Sequence, residues 1–214
     1  ISMSADTKAF VAALGRQSTA TVHEALGKKG ALPSGIKPVA KGMKLCGPAV
    51  TVHSPGGDNL WIHRALYVAK PGDVLVVYAN DVHDYGYWGE IMSPAAQVRS
   101  LGGLVIAGGV RDIDLLESIG FPVFATGLCI RGTGKDHLAR GWVNHPVLLG
   151  DITVHAGDLV LGDLPAVGNA LGKSVVDINQ GNLRSVAIAQ AGDRTRLVLN
   201  LRQSSSYRAE LQGK

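Results

Sequence analysis

Cysteine is scarce in this chain. Cys46 and Cys129 are the two among 214 residues, they lie far apart, and they form no CxxC unit. That leaves no basis for a disulfide framework or a zinc–cysteine site, and a reducing, intracellular compartment is the expectation. Long apolar runs are missing too. No stretch approaches the roughly 18–20 consecutive apolar residues that a membrane-spanning helix needs. The amino-terminal stretch, with Asp6 and Lys8 before a short amphipathic segment, is not built like a secretory signal. The sequence therefore predicts a cytoplasmic protein with no membrane partner.

Histidine spacing is equally uninformative for a metal. His53, His63, His83, His137, His145 and His155 show no HxH or HExxH arrangement, and His23 stands alone beside Glu24. Arg131-Gly132-Thr133-Gly134-Lys135 lacks the spacing of a phosphate-binding Walker loop. The formal net charge of +4 suggests nucleic acid until it is located. Residues 164–214 hold seven Lys and Arg against three acids, whereas residues 1–163 balance fourteen against fourteen. The body of the protein has no basic face, and no nucleic-acid partner is expected.

What is abundant is glycine, at 28 residues, which speaks for tight turns and close backbone approaches and against a long helical bundle. The length suits one well-buried domain better than two. Residues 4–27 read as a helical opening with caps at Asp6 and at Thr19 or Thr21, and 28–38 as a loop. Strands are predicted over 46–53, 74–78, 104–107 and 121–125. Helices are predicted from 59 to about 70, over 88–100 and over 112–119. Helix, strand, short helix and strand across 89–125 make an α/β unit with near-parallel strands. Beyond it the pattern is β-rich, at 147–149, 152–154 and 158–161. Lys70-Pro71-Gly72-Asp73 and His155-Ala156-Gly157-Asp158 each turn into a strand, a repeated device. After Leu164 the order fades; a helix over 183–191 and a strand over 196–201 can be drawn.

The stretch GGLVIAGGVRDID, Gly102 to Asp114, carries the chemistry. A buried strand runs into glycines and then into a short helix at Arg111 or Asp112. Ligands collect outside the carboxyl ends of such strands. Arg111 offers a planar fork for a carboxylate or carbonyl, and Asp112 a hard oxygen ligand for Mg²⁺ or Mn²⁺. The plainer alternative makes Asp112 a helix cap and Arg111 a surface cation. Tyr85, Tyr87 and Trp88, just before Gly89-Glu90, read as a wall of the substrate pocket or as a packed loop.

Six pieces in order, TVHEA (21–25), DNLWIHRAL (58–66), KPGDVLVV (70–77), WGEIM (88–92), GGLVIAGGVRDIDLLESIGFPVFATG (102–127) and RGTGK (131–135), resemble the regulator-of-ribonuclease-activity family. They resemble most its enzymatic branch, the 4-hydroxy-4-methyl-2-oxoglutarate and 4-carboxy-4-hydroxy-2-oxoadipate aldolases. The resemblance spans about Thr21 to Asp163. It implies an α/β fold of the swivelling β/β/α type, a single domain with a β-rich core flanked by helices, assembled as a homotrimer or hexamer. It implies a divalent cation as cofactor, a small 2-oxo acid as substrate, pyruvate as product and oxaloacetate decarboxylation as a side activity. Gly89, Glu90, Ile91 and Met92 would form the loop whose amides receive the substrate carboxylate, and Glu90 would hold a metal-bound water. Arg111 would bind pyruvate's oxygens and stabilise its enolate, Asp112 would be the direct metal ligand, and Lys135 a nearby base. Glu24 would come from a neighbouring subunit. The acid directly after the arginine favours the enzyme over a non-catalytic, protein-binding regulator of ribonuclease activity, the alternative.

The departure comes at Asp163. Family members continue with Asp-Gly-Val, a strand and an acidic helix, whereas here Leu-Pro-Ala-Val-Gly-Asn and a basic stretch follow. Residues 1–163 are read as the aldolase-like domain, and 164–214 as a divergent tail that could belong to the same domain. Divergence and a reading-frame shift near codon 164 both remain open. Either way, any acid that helix normally supplies is missing.

Overall fold

A computed structural model describes residues 5–163 together with 175–180, 183–191 and 194–201. The chain divides into two compact units, Ile1–Pro165 and Ala166–Lys214. The first unit opens with helices α1 (Ala5–Leu14) and α2 (Thr19–Ala25), then strands β1 (Lys37–Pro38) and β2 (Leu45–His53) and helix α3 (Leu60–Val68). It continues with β3 (Val74–Tyr78), β4 (Gly86–Trp88), α4 (Met92–Val98), β5 (Gly103–Val110), α5 (Ile113–Ile119) and β6 (Val123–Leu128). Short strands β7 (Trp142–Val143), β8 (Val147–Leu149), β9 (Ile152–Val154) and β10 (Leu159–Gly162) complete it.

One sheet organises this unit, in the order β1-β6-β5-β3-β2-β10, with β4 added to β5 and β7 to β2. Its centre, β2-β3-β5-β6, is parallel, and its margins β1, β7 and β10 run antiparallel. Thr51, Val76, Val105 and Phe124 form one row across the sheet, and Val52, Val77, Ile106 and Ala125 the next. The parallel strands are buried on both faces, so they read as unbroken runs of Val, Ile and Leu. All eight residues of β5 are buried. The fold is thus the sheet-rich α/β core expected.

The repeated turn device has a defined basis. In each copy the aspartate carboxylate accepts the amide three residues back, Lys70 N to Asp73 Oδ2 and His155 N to Asp158 Oδ2, both at 2.8 Å. Gly72 and Gly157 take the left-handed conformation between them, at φ 88° and 92°. Both turns launch strands that flank β2: Asp73 opens β3, and Asp158 opens β10.

Three local expectations are corrected. The helix expected over 88–100 shrinks to Met92–Val98, because Gly86–Trp88 pairs with β5 as strand β4. The second helix is capped by Ser18, whose hydroxyl accepts Thr21 N, one residue ahead of the expected Thr19. In the second unit, the helix drawn over 183–191 is strand β12 (Leu183–Ala191). It is the central strand between β11 (Val175–Gln180) and β13 (Arg194–Leu201) in an antiparallel three-stranded sheet. β-branched Val186 and Ile188 two apart suit a strand better than a helix. The strand expected over 196–201 lies within β13.

Strand β2 meets the turn before β3 so closely that a Cβ on Gly47 would collide with the Gly72 carbonyl. Gly47→Ala is expected to cost about 2–3 kcal/mol by overpacking. Gly35→Ala, with open space around it, should stay within about 0.5 kcal/mol. Urea denaturation of the two variants measures the contrast.

Candidate functional site

The carboxyl end of β5 is held on both sides before it releases Arg111 and Asp112. Gly109 N donates to His83 O at 3.1 Å, Arg111 N to Trp88 O at 3.0 Å, and Cys129 N to Val110 O at 2.8 Å. The next residue turns sharply: Asp112 sits at φ 61°, ψ 42°, the left-handed region that a non-glycine residue adopts at a cost. Asp112 occupies the position before α5, and its carbonyl accepts Leu115 N and Leu116 N. Its side chain, however, makes no cap hydrogen bond. The carboxylate turns away from the helix: Oδ2 accepts Glu90 N at 3.2 Å and lies 3.6 Å from Arg111 Nε. The plain capping role therefore does not describe this aspartate.

Glycine makes the approach possible. A Cβ on Gly89 would fall onto the Asp112 carboxylate, and one on Gly86 would press on Arg111 and the Cys129 carbonyl. Arg111 and Asp112 side chains are 41% and 29% exposed, accessible to a ligand and only partly desolvated. Their ion pair therefore adds little stability. They border an open pocket of about 230 Å³ lined also by Val110, Ile113, Leu128, Cys129 and Ile130. A larger groove of about 710 Å³ between α2, residues 29–38 and β10 has no part of this end of β5. We place the candidate site in the smaller pocket, because the strained aspartate and the arginine are there.

The RGTGK segment runs along the same edge. Gly86 N donates to Arg131 O at 2.8 Å, the Arg131 guanidinium lies over the Tyr85 ring at 5.2 Å, and Gly132 faces Arg111 Nη1. Gly134 then pairs with residues 57–59: its N–H donates to Gly57 O at 2.7 Å, and its carbonyl accepts Asn59 N at 3.2 Å. Lys135 is exposed just beyond this pairing. Its ammonium is felt by His63, whose pKa is lowered first by burial and next by Lys135, with Asp58 opposing.

The structure brings Gly89, Glu90, Arg111 and Asp112 together and puts Lys135 on the adjoining loop. Glu90 and Ile91 are exposed at the start of α4, and Met92 is buried, so its side chain serves the core. The Glu90 amide, expected to meet a substrate carboxylate, is occupied by Asp112. Glu24 is exposed on α2 and pairs with Lys28 at 3.8 Å, and it does not line the pocket at Arg111 and Asp112. Tyr87 and Trp88 are fully buried and do not wall a pocket. The Tyr87 hydroxyl accepts Gly57 N and donates to Val82 O, both at 2.8 Å, and Trp88 Nε1 donates to Ser93 Oγ at 2.7 Å. Asp58 was not among the expected site residues, although it begins the DNLWIHRAL piece ahead of α3.

Among the described residues no group of three His, Cys, Asp or Glu could cage a metal ion. One accessible carboxylate beside open space fits Mg²⁺ or Mn²⁺, which retain water and bind through one or two carboxylates plus substrate oxygens. It does not fit zinc, which takes three or four protein ligands.

Comparison with known proteins gives this geometry a context. The profile of the RraA-like family, described as Aldolase/RraA, matches residues 19–167. The chain belongs to the RraA-like family. A relative from Halalkalibacterium halodurans, provisionally named as a 4-hydroxy-4-methyl-2-oxoglutarate aldolase, is 34% identical over 149 residues, covering 70% of each chain. The RNA-processing inhibitor RraA from Thermus thermophilis has the same fold, with a TM-score of 0.63 at 22% identity over 69% of this chain and 88% of that one. A third similarity is of another kind. The fimbrial assembly protein PilQ of Pseudomonas aeruginosa is 47% identical over 51 residues, which are 24% of this chain and 7% of that protein.

Within this RraA-like domain, Lys135→Ala removes a cation that depresses His63. The His63 titration midpoint, followed by NMR, should move up toward the ordinary value of 6.5. An unmoved midpoint would place the ammonium elsewhere.

Proposed function

We propose that the RraA-like domain is a divalent-metal-dependent lyase that cleaves 4-hydroxy-2-oxo acids to pyruvate and decarboxylates oxaloacetate at the same site. The observation that carries this reading is Asp112: held left-handed, released from capping, and turned beside Arg111 at the end of a buried strand. A merely structural helix cap needs none of that. The relative's provisional name points the same way.

When bound at Asp112, Mg²⁺ or Mn²⁺ supplies Lewis acidity to the substrate's 2-oxo carbonyl. The Arg111 guanidinium donates to the substrate's oxygens and meets the negative charge that develops on them. Glu90 orients the water that accepts the C4 hydroxyl proton. As that proton leaves, C4 becomes a carbonyl and the C3–C4 bond breaks. Its electron pair moves into the pyruvate enolate, which is then protonated at C3. In oxaloacetate the same bond breaks with loss of CO2, and the same enolate results. Lys135 serves as a nearby basic residue and forms no Schiff base. In a homotrimer or hexamer, Glu24 of a neighbouring protomer would complete the site.

Pyruvate release from oxaloacetate, measured with Mg²⁺ or Mn²⁺, with chelator, and with Asp112→Ala, tests this reading. Turnover should be lost with chelator and fall at least about 100-fold in the variant. A chain that binds no divalent cation and releases no pyruvate would instead be a protein-binding regulator of ribonuclease activity.

A second reading concerns residues 164–214, which we propose to be a separate module, similar to a segment of a fimbrial assembly protein. The 51-residue similarity cannot fit in the 18 residues before the family match, whereas the stretch from 164 to 214 has that length. The boundary between the compact units, at 165/166, falls in the same place. A similarity of that length to a natural protein supports a module there over a frame shift. Proline in the central strand of the three removes a ladder N–H. Ile188→Pro in the full chain should therefore abolish amide-exchange protection over 175–201, while 45–53, 74–78 and 103–110 keep theirs. Loss of protection in both units would sink the two-module reading.

A further inference from the structure

Asp58 is a buried acid that the proposed chemistry leaves unused. It is 5% exposed, and its carboxylate is divided between two backbone amides. Oδ1 accepts Leu60 N at 2.8 Å, which caps α3 in place of Asn59, whose own side chain makes no cap bond. Oδ2 accepts Asp136 N at 2.6 Å across 78 residues of sequence. No ion pair holds this carboxylate among the described residues; amide hydrogen bonds to a charged acceptor do so instead.

The second hydrogen bond lands beside a functional segment. Gly134 is already paired with Gly57 and Asn59, so Gly134 and Asp136 are both fastened to residues 57–59 with Lys135 between them. The other end of the segment is tied at Arg131 to Gly86, and Gly132 faces Arg111. The 57–59 turn is itself rigid. Ser54 Oγ donates to Asp58 O at 2.7 Å, and the buried Tyr87 hydroxyl accepts Gly57 N at 2.8 Å.

We propose that Asp58 is a positioning residue, a carboxylate staple that fixes the backbone of Gly134–Asp136 and thereby sets Lys135 on the loop that passes Arg111 at Gly132. The catalytic half of this inference rests on the lyase reading above. The chemistry requires a carboxylate, since both partners are N–H donors. An asparagine offers one oxygen, and its NH2 would face the other donor. Helix α3 is anchored by buried Ile62, Ala65 and Leu66, whereas the 131–136 segment is exposed over most of its length. The loop hydrogen bond is therefore the one that gives way.

The experiment uses the full chain with Asp58→Asn and, from the loop side, Asp136→Pro, which deletes the same donor and leaves the α3 cap intact. In Asp58→Asn the Asp136 amide resonance should move upfield and lose exchange protection, with the Leu60 amide retained. In both variants kcat/KM for oxaloacetate should fall about ten- to hundredfold, mostly in kcat. On a Lys135→Ala background, Asp58→Asn should cause no further loss. An unchanged Asp136 amide, or a full additional loss without Lys135, overturns the staple. A wild-type chain with no turnover overturns the lyase reading separately, and the Asp136 resonance then decides the staple alone.

Discussion

The hydrogen bond from the Glu90 amide to the Asp112 carboxylate ties the end of one strand to the start of the neighbouring helix. It depends on three things at once. Strand β5 must deliver Asp112 to the mouth of the sheet, the backbone there must turn left-handed, and residue 89 must have no side chain. Left-handed conformation in aspartate costs on the order of 1 kcal/mol or more. Its neighbours hold it: the His83 and Trp88 carbonyls accept Gly109 N and Arg111 N, and the Val110 carbonyl accepts Cys129 N beyond parallel β6. The strain is local, and the buried eight-residue strand behind it supplies the rigidity.

Much of this was legible because parallel strands buried on both faces leave an unmistakable sequence trace. Val74–Tyr78 is bounded by Pro71-Gly72-Asp73 on one side and Asn80 on the other, and its observed ends match those read from sequence. Arg111 and Asp112 were legible for a related reason: glycines at the end of an apolar run mark the place where a ligand meets a sheet. Gly86–Trp88 was not. Two large aromatics in a glycine-bounded stretch suggest a pocket wall, and only the pairing with β5 reveals a three-residue strand whose rings fill the core. Asp58 opens the DNLWIHRAL piece, and its carboxylate accepts Leu60 N at the entry to α3. Its bond to Asp136 joins residues 78 apart and has no local signature. The 183–191 segment was misread because its alanines favour helix while Val186 and Ile188 favour strand, and the decision lay in pairing with 194–201.

The candidate site has one accessible carboxylate and one guanidinium, and the loop that bears Lys135 passes the arginine at Gly132. Such a sparse donor set is a liability for holding a metal permanently, because a single carboxylate half engaged by an amide and an arginine binds a cation weakly. For a substrate that chelates through adjacent carboxylate and carbonyl oxygens, the same sparseness is useful. On the lyase reading, a cation held by Asp112 would leave room for those oxygens, and the substrate would contribute to its own site. Arg111 then has a double part. It lies 3.6 Å from the Asp112 carboxylate; on the lyase reading, its planar fork would have a stronger partner in a forming enolate. Interaction gained only as charge develops is what lowers a barrier, whereas tight binding of the resting ion would not. The exposure of both side chains, which makes their ion pair nearly worthless for stability, is therefore consistent with a site whose electrostatics are reserved for the bound acid.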